Sequence, residues 1–241
     1  MAGVDAVVGK RSPGFYGKLP AHGDFIDRGL PVSFISGWDE WLRQCVAASR
    51  EIGGENWLNH YLTSPIWRFA LTDGVINGSS WAGILVPSVD SVGRYYPVTV
   101  AMPLIAGEQP ASFLAENHDL FSNWEQIALQ ALQENLKADE VAERLSKTGD
   151  IARPVTVMSS AGYQRSSLVK GIAQPADGGN VWARLLDAST QAHADSFSLW
   201  SCAGSACMPA MLLYKKGLPE PRSYIAMLNG QWQAHEWDSP L

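Results

Sequence analysis

Ten tryptophans, at positions 38, 41, 57, 67, 81, 124, 182, 200, 232 and 237, are more indole than a soluble chain of 241 residues can leave in water. Rings of that size build either a core or a binding surface. Where they recur with the period of a helix or a strand, they fix which face is buried. The rest of the composition permits a core: 46% of residues are hydrophobic, and only 17% are charged, below the roughly 25% of typical soluble domains. Such a chain buries enough apolar surface to offset the entropy of ordering, which excludes a disordered chain.

The formal net charge is −6, and Lys10-Arg11 and Lys215-Lys216 are isolated basic pairs rather than a stripe. Nucleic acid is therefore not an expected partner. No apolar run reaches membrane-spanning length, and Met1 to Arg11 lack a charged region ahead of an apolar stretch. Neither membrane insertion nor export is expected, and the expected location is the cytoplasm. Cys45, Cys202 and Cys207 are odd in number, and the C-x4-C spacing of the last two lacks a second pair of zinc ligands. Reduced thiols acting as small hydrophobes are expected, with no metal.

Residues 14–31 carry Gly14, Gly17, Pro20, Gly23, Gly29 and Pro31 and read as an ordered, irregular leading segment. Ser33 reads as the N-cap of a helix to about Arg50. Phe34, Trp38, Trp41, Leu42 and Cys45 form its buried face, and Asp39, Glu40, Arg43 and Gln44 point elsewhere. Strand-like runs follow over Trp67–Thr72, Ala82–Val86 and Val98–Ile105, with Asp73 to Trp81 as a hairpin connection. A second helix begins near Ser122, with Trp124, Ile127, Ala128, Ala131, Leu132 and Leu136 inward. A shorter one opens at Asp139, with Val141, Ala142 and Leu145 inward, and stops at Gly149. Ser159–Gly179 reads as a loop and Trp182–Leu186 as a helical turn. Phe197–Ser201, Ala210–Tyr214 and Tyr224–Leu228 read as further strands. Strands, then helices, then strands predict a sheet covered by helices in one domain spanning 1–241: a motif-bearing half (14–104), a helical middle (110–149) and a strand-rich remainder (150–241).

The common catalytic signatures are missing: no phosphate-binding loop, dinucleotide fingerprint, H-E-x-x-H or paired C-x-x-C. Gly78-Ser79-Ser80-Trp81-Ala82 lacks the second glycine of a nucleophile elbow and leads into a strand, so it reads as a turn. His22 and Asp24 share a glycine-rich loop, where an imidazole could be oriented as a base or hold one metal. A histidine hydrogen-bonded in a tight turn is the plainer reading. Lys18, Arg28 and Arg94 lie in glycine-containing segments suited to a phosphate or carboxylate, or to pinning loops by pairing with Asp24, Asp27 or Asp90. No catalytic residue and no cofactor is expected from these patterns.

Two segments carry a resemblance. The first reads Gly14-Phe15-Tyr16-Gly17-Lys18-Leu19-Pro20, Gly23-Asp24-Phe25, Arg28-Gly29-Leu30-Pro31 and Trp38-Asp39-Glu40-Trp41-Leu42. The second reads Ser64-Pro65-Ile66-Trp67-Arg68-Phe69, Pro87-Ser88-Val89-Asp90, Val92-Gly93-Arg94 and Tyr96-Pro97. In order and spacing these resemble the type VI secretion-associated TagF/ImpM family over residues 14–104, with Ser91 standing where a basic residue is the pattern. The resemblance implies a three-layer α/β/α sandwich whose sheet is mixed and partly antiparallel. It also implies a cytoplasmic, post-translational negative regulator of the type VI secretion system that binds a forkhead-associated scaffold protein and is not an enzyme. Lys18, His22, Asp24, Arg28, Asp90 and Arg94 are then the candidate interaction or loop-organising residues, and Trp232 and Trp237, in a polar tail, the candidate surface aromatics. Trp124 and Trp182 read as helix anchors. The alternative is a phosphoprotein-directed enzyme or phosphate sensor with His22, Asp24, Asp90 and Arg94 in one cleft. The sequence carries no reading of oligomeric state.

Overall fold

Aromatic rings at three- and four-residue spacing wind the first long helix, α1 (Val32–Gly53), and put Phe34, Trp38, Trp41, Leu42 and Cys45 on its buried side. The computed structural model describes residues 11–105, 108–148, 182–184, 186, 187, 190, 196–235 and 237. Pro31, not Ser33, occupies the N-cap of α1, in extended conformation and without a side-chain cap bond. The elements before and after are β1 (Gly14–Gly17), β2 (Ile26–Arg28), α2 (Trp57–Thr63), β3 (Trp67–Leu71), β4 (Trp81–Val86), β5 (Val98–Pro103), α3 (Pro110–Glu116), α4 (His118–Gln133), α5 (Ala138–Ser146), β6 (Phe197–Cys202), β7 (Met211–Lys216) and α6 (Tyr224–Asn229).

The strands form one seven-stranded sheet in the order β2-β1-β5-β4-β3-β6-β7. Every pairing among the described strands is antiparallel, where the resemblance implied a mixed, partly antiparallel sheet. Strand periodicity sends alternate residues to opposite faces. On one face Tyr16, Trp67, Phe69, Leu71, Leu85 and Trp200 meet α1, α2 and α6. On the other, Phe15, Ala70, Ile84, Val98, Val100 and Met102 meet α3, α4 and α5 through Phe113, Phe121, Trp124 and Val141. The result is the expected α/β/α sandwich.

The tryptophans divide between the two cores. Trp38, Trp41, Trp57, Trp67, Trp81, Trp124 and Trp200 are buried. Their indole N–H groups donate to Thr99 Oγ1, Pro219 O, Ser49 Oγ, Met227 O, Asn77 Oδ1, Thr148 Oγ1 and Ser198 Oγ respectively. A buried donor without a partner costs about 1–3 kcal/mol, so these hydroxyls and carbonyls are as much part of the core as the rings. Trp182 departs from its expected role as an anchor: it is 72% exposed.

Three local expectations are corrected. Tyr224–Leu228 is helical, not a strand. Five consecutive apolar residues have no period, and a fully buried helix looks the same in sequence as a fully buried strand. Gly230 closes the helix in the left-handed conformation, φ 73, its N–H donating to Ala226 O. Residues 14–17 and 26–28 are strands rather than irregular chain. Gly17 makes the first possible: at φ 138, a Cβ there would lie 2.2 Å from Pro97 O, so only glycine lets β1 close on the segment leading into β5. The second long helix starts at His118, ahead of Ser122. The stretch 159–179, read as a loop, lies outside the described residues.

Two residues late in the sequence, Asp187 and Arg184, are fastened to α3. The Asp187 carboxylate accepts from the N–H groups of Ala111 and Ser112 at 2.7 and 2.8 Å and from Ser112 Oγ at 2.6 Å, capping α3 from far along the sequence. Burial still holds the Asp187 carboxyl above its ordinary pKa against those bonds. Arg184 pairs with Glu116 at 2.6 Å near the other end of α3.

Candidate functional site

Loops leave the same end of neighbouring strands after β1 (residues 18–25) and between β4 and β5 (residues 87–97), and both motif segments meet there. The second loop is a tight hairpin: Asp90 N donates to Arg94 O, Gly93 N to Asp90 O and Tyr96 N to Ser88 O. Gly93 supplies the left-handed residue at φ 84 that the turn needs. The first loop is tied to it by Ser91 N donating to His22 O, and Ser88 Oγ donates to Lys18 O at 2.6 Å. Beneath both, the Tyr61 hydroxyl donates to Ser88 O and accepts from Ser88 N.

Asp90 is the centre. Its carboxylate is buried, with Lys18 Nζ at 2.7 Å and Arg94 Nε at 2.6 Å on one oxygen. The main-chain N–H groups of Val92 and Arg94 donate to the other at 3.1 and 2.8 Å. Burial alone would raise the pKa of such a group. The bonds from Lys18, Arg94 and Val92 outweigh it and hold Asp90 well below the ordinary carboxylate range. Arg94 Nη2 also donates to Gly23 O, locking the two loops together. The Lys18 ammonium lies 5.0 Å from the Phe25 ring centroid.

A second buried carboxylate supports the first cluster from below. Asp39 accepts from the Tyr16 and Tyr96 hydroxyls at 2.5 and 2.8 Å and from Arg43 at 2.6 Å. This corrects the expectation that Asp39 points away from the core. Burial, then the bond to Asp39, raises both tyrosine hydroxyls above their ordinary pKa. Phe25 stacks on Tyr16 at 5.8 Å and meets Tyr96 edge-on at 4.8 Å.

The expected site residues are thus partly brought together. Lys18, Asp90 and Arg94 form one ionic cluster. His22 is spent elsewhere: its Nε2 accepts from Ala138 N at 3.0 Å, at the start of α5. Arg28 pairs with Asp139 at 2.9 Å and donates to Asp27 O, so it clamps β2 to α5. Asp24 is exposed and accepts from Phe25 N. His22, Asp24, Asp90 and Arg94 therefore do not converge on one cleft. Among the described residues no group of histidine, cysteine and carboxylate side chains is arranged to hold a metal ion. Trp232 and Trp237 are half-buried struts rather than surface aromatics. Trp232 meets Trp67 edge-on at 6.2 Å, and Trp237 Nε1 donates to Ser223 O. Sequence reasoning missed Phe25 and Val92, apolar residues of the two loops with 37% and 68% of their surface exposed. Phe25 ends the quoted Gly23-Asp24-Phe25 motif and could have been found there.

The arrangement is chemically closed. Each charge at its centre is neutralised by a partner at hydrogen-bond distance, and Phe25 and Val92 face outward beside exposed Asp24, Ser91 and Arg94.

Among known families, residues 14–148 match the TagF N-terminal domain, described as type VI secretion system-associated. The chain is similar in structure to PA0076 from Pseudomonas aeruginosa PAO1, solved by crystallography. The two share 32% sequence identity at a TM-score of 0.77, over 95% of this chain and 98% of that one. No curated protein matches the sequence.

Proposed function

Because the chain belongs to the type VI secretion-associated TagF family, we propose that it is a cytoplasmic, post-translational repressor of type VI secretion, acting by binding a forkhead-associated scaffold component and catalysing no reaction. The observation that carries this reading is the closed ionic cluster of Lys18, Asp90 and Arg94 under an exposed Phe25 and Val92. Apolar residues on rigid loops lose little entropy on docking, and desolvated aromatic anchors carry most of the energy of a protein interface. No helix among the described residues is long and apolar enough to cross a membrane.

The test is capture from the native lysate by the tagged full chain. Wild type is expected to retain a forkhead-associated protein. Phe25→Asp with Val92→Asp is expected to retain about tenfold less or lower still. Leu62→Asp, an exposed position on α2, is expected to behave as wild type. Equal retention by the double variant, with its unfolding midpoint unchanged, would remove Phe25 and Val92 from the interface.

A further inference from the structure

A groove of about 310 Å³ lies between α4 and α5, towards the end of α5 remote from His22 and the loop cluster. Its α4 wall carries Asn123, Gln126 and Gln130, and its α5 wall carries Arg144 and Lys147, with Ile127 between the amides. Among the described residues its lining carries two charges, Arg144 and Lys147, each paired with a glutamate outside the lining, Glu134 and Glu143, in a chain of net charge −6.

The spacing of the amides is informative. From Asn123 to Gln130 an α-helix rises about 10 Å, close to the length of three residues of extended chain at about 3.3 Å each. A carboxamide offers both a donor and an acceptor, the same pair that a peptide unit presents. Arg144 Nη1 donates to Gln130 Oε1 at 2.8 Å, which fixes that amide across the groove. Glu134 pairs with Arg144 at 3.9 Å, with Arg144 39% and Glu134 56% exposed, a solvent-screened pair that a competing carboxylate can displace. Lys147 pairs with Glu143 at 2.6 Å, but both side chains are about two-thirds exposed at 69% and 66%. An exposed i,i+4 pair is worth about 0.3–0.5 kcal/mol and yields readily to a competing carboxylate.

We infer that this groove binds a short extended polypeptide segment bearing acidic side chains, with its main chain against Asn123, Gln126 and Gln130 and a carboxylate between Arg144 and Lys147. Nucleic acid is the poorer fit, since among the described residues lining the groove no aromatic ring offers bases a stacking surface, and the chain as a whole is acidic. The inference does not depend on the loop cluster, which lies at the other end of α5.

The test uses the full chain and a fluorescein-labelled alternating serine-glutamate hexapeptide amide, followed by fluorescence anisotropy at low salt. A serine-lysine peptide of the same length and free glutamate as competitor serve as comparisons. The glutamate peptide is expected to bind saturably and at least about tenfold tighter than the lysine peptide. Arg144→Gln with Lys147→Gln and, separately, Asn123→Ala with Gln126→Ala are each expected to weaken it about fivefold or more. All four positions are at the surface, so unchanged circular dichroism separates lost binding from lost folding. Equal affinity for both peptides would overturn the inference. So would full displacement by free glutamate at the peptide's own concentration, or an amide variant that binds as wild type, either of which would leave a simple anion site.

Discussion

Asp90→Ala is expected to lose about 3 kcal/mol of stability or more, measured as a drop in the denaturant midpoint at neutral pH. The substitution strands the Lys18 ammonium, whose side chain is 6% exposed, without its counter-charge, and removes the acceptor that closes the turn at Val92 and Arg94. A loss of that size is a large share of the roughly 5–15 kcal/mol that holds a domain folded. Pairing Lys18→Met with Asp90→Asn is expected to recover much of it, because no buried charge is then left alone and the turn keeps an acceptor. If Asp90→Ala alone were as stable as wild type, the cluster would not organise the loops. The same group sets an acid limb. The folded-state pKa of Asp90 is depressed, so its contribution is fully present above the ordinary aspartate value of about 3.9 and is lost as the pH falls below it. The unfolded chain takes up a proton there that the folded chain refuses. Wild type is therefore expected to lose more stability than Asp90→Asn between pH 5 and pH 2, and parallel losses would contradict the assignment.

Trp38→Ala is expected to cost about 3–5 kcal/mol, with Trp38→Phe costing distinctly less. Trp38 is fully buried, with ring centroids of Trp41 at 4.8 Å, Phe69 at 4.7 Å and Trp200 at 6.1 Å. Its indole also satisfies Thr99 Oγ1 on β5, joining α1 to the centre of the sheet. Truncation leaves both a cavity and a lost bond, and the phenylalanine variant separates the two. The readout is again the denaturant midpoint. A shift of under about 1 kcal/mol for the alanine variant would mean the neighbouring rings collapse into the space, against the rigid packing described.

The tryptophans show what the sequence made legible. Trp38, Trp41 and Trp124 recur at helical spacing beside other apolar residues, so their burial follows from period alone. Trp182 lacks such a partner stripe and stands exposed, whereas Trp232 and Trp237 sit among polar residues and are nevertheless drawn into the core by Trp67 and Ser223. Contacts across that much sequence leave no local trace. The loop cluster divides in the same way. Lys18, Asp90 and Arg94 announce themselves as charged residues in glycine-containing motifs. Asp39 does not, because a carboxylate beside Glu40 and near Arg43 on a helix reads as solvated until two tyrosines from distant strands are folded over it. The helix at Tyr224–Asn229 was illegible for a third reason: a run apolar throughout has no period to read.

The proposed role is repression of secretion by occupying a partner. Its most direct measurement is type VI secretion from a strain lacking the gene and complemented with wild type or with Phe25→Asp and Val92→Asp. Secretion is expected to rise on deletion, to fall again with wild type and to stay high with the double variant at equal protein level. Unchanged secretion in the deletion strain would contradict the account.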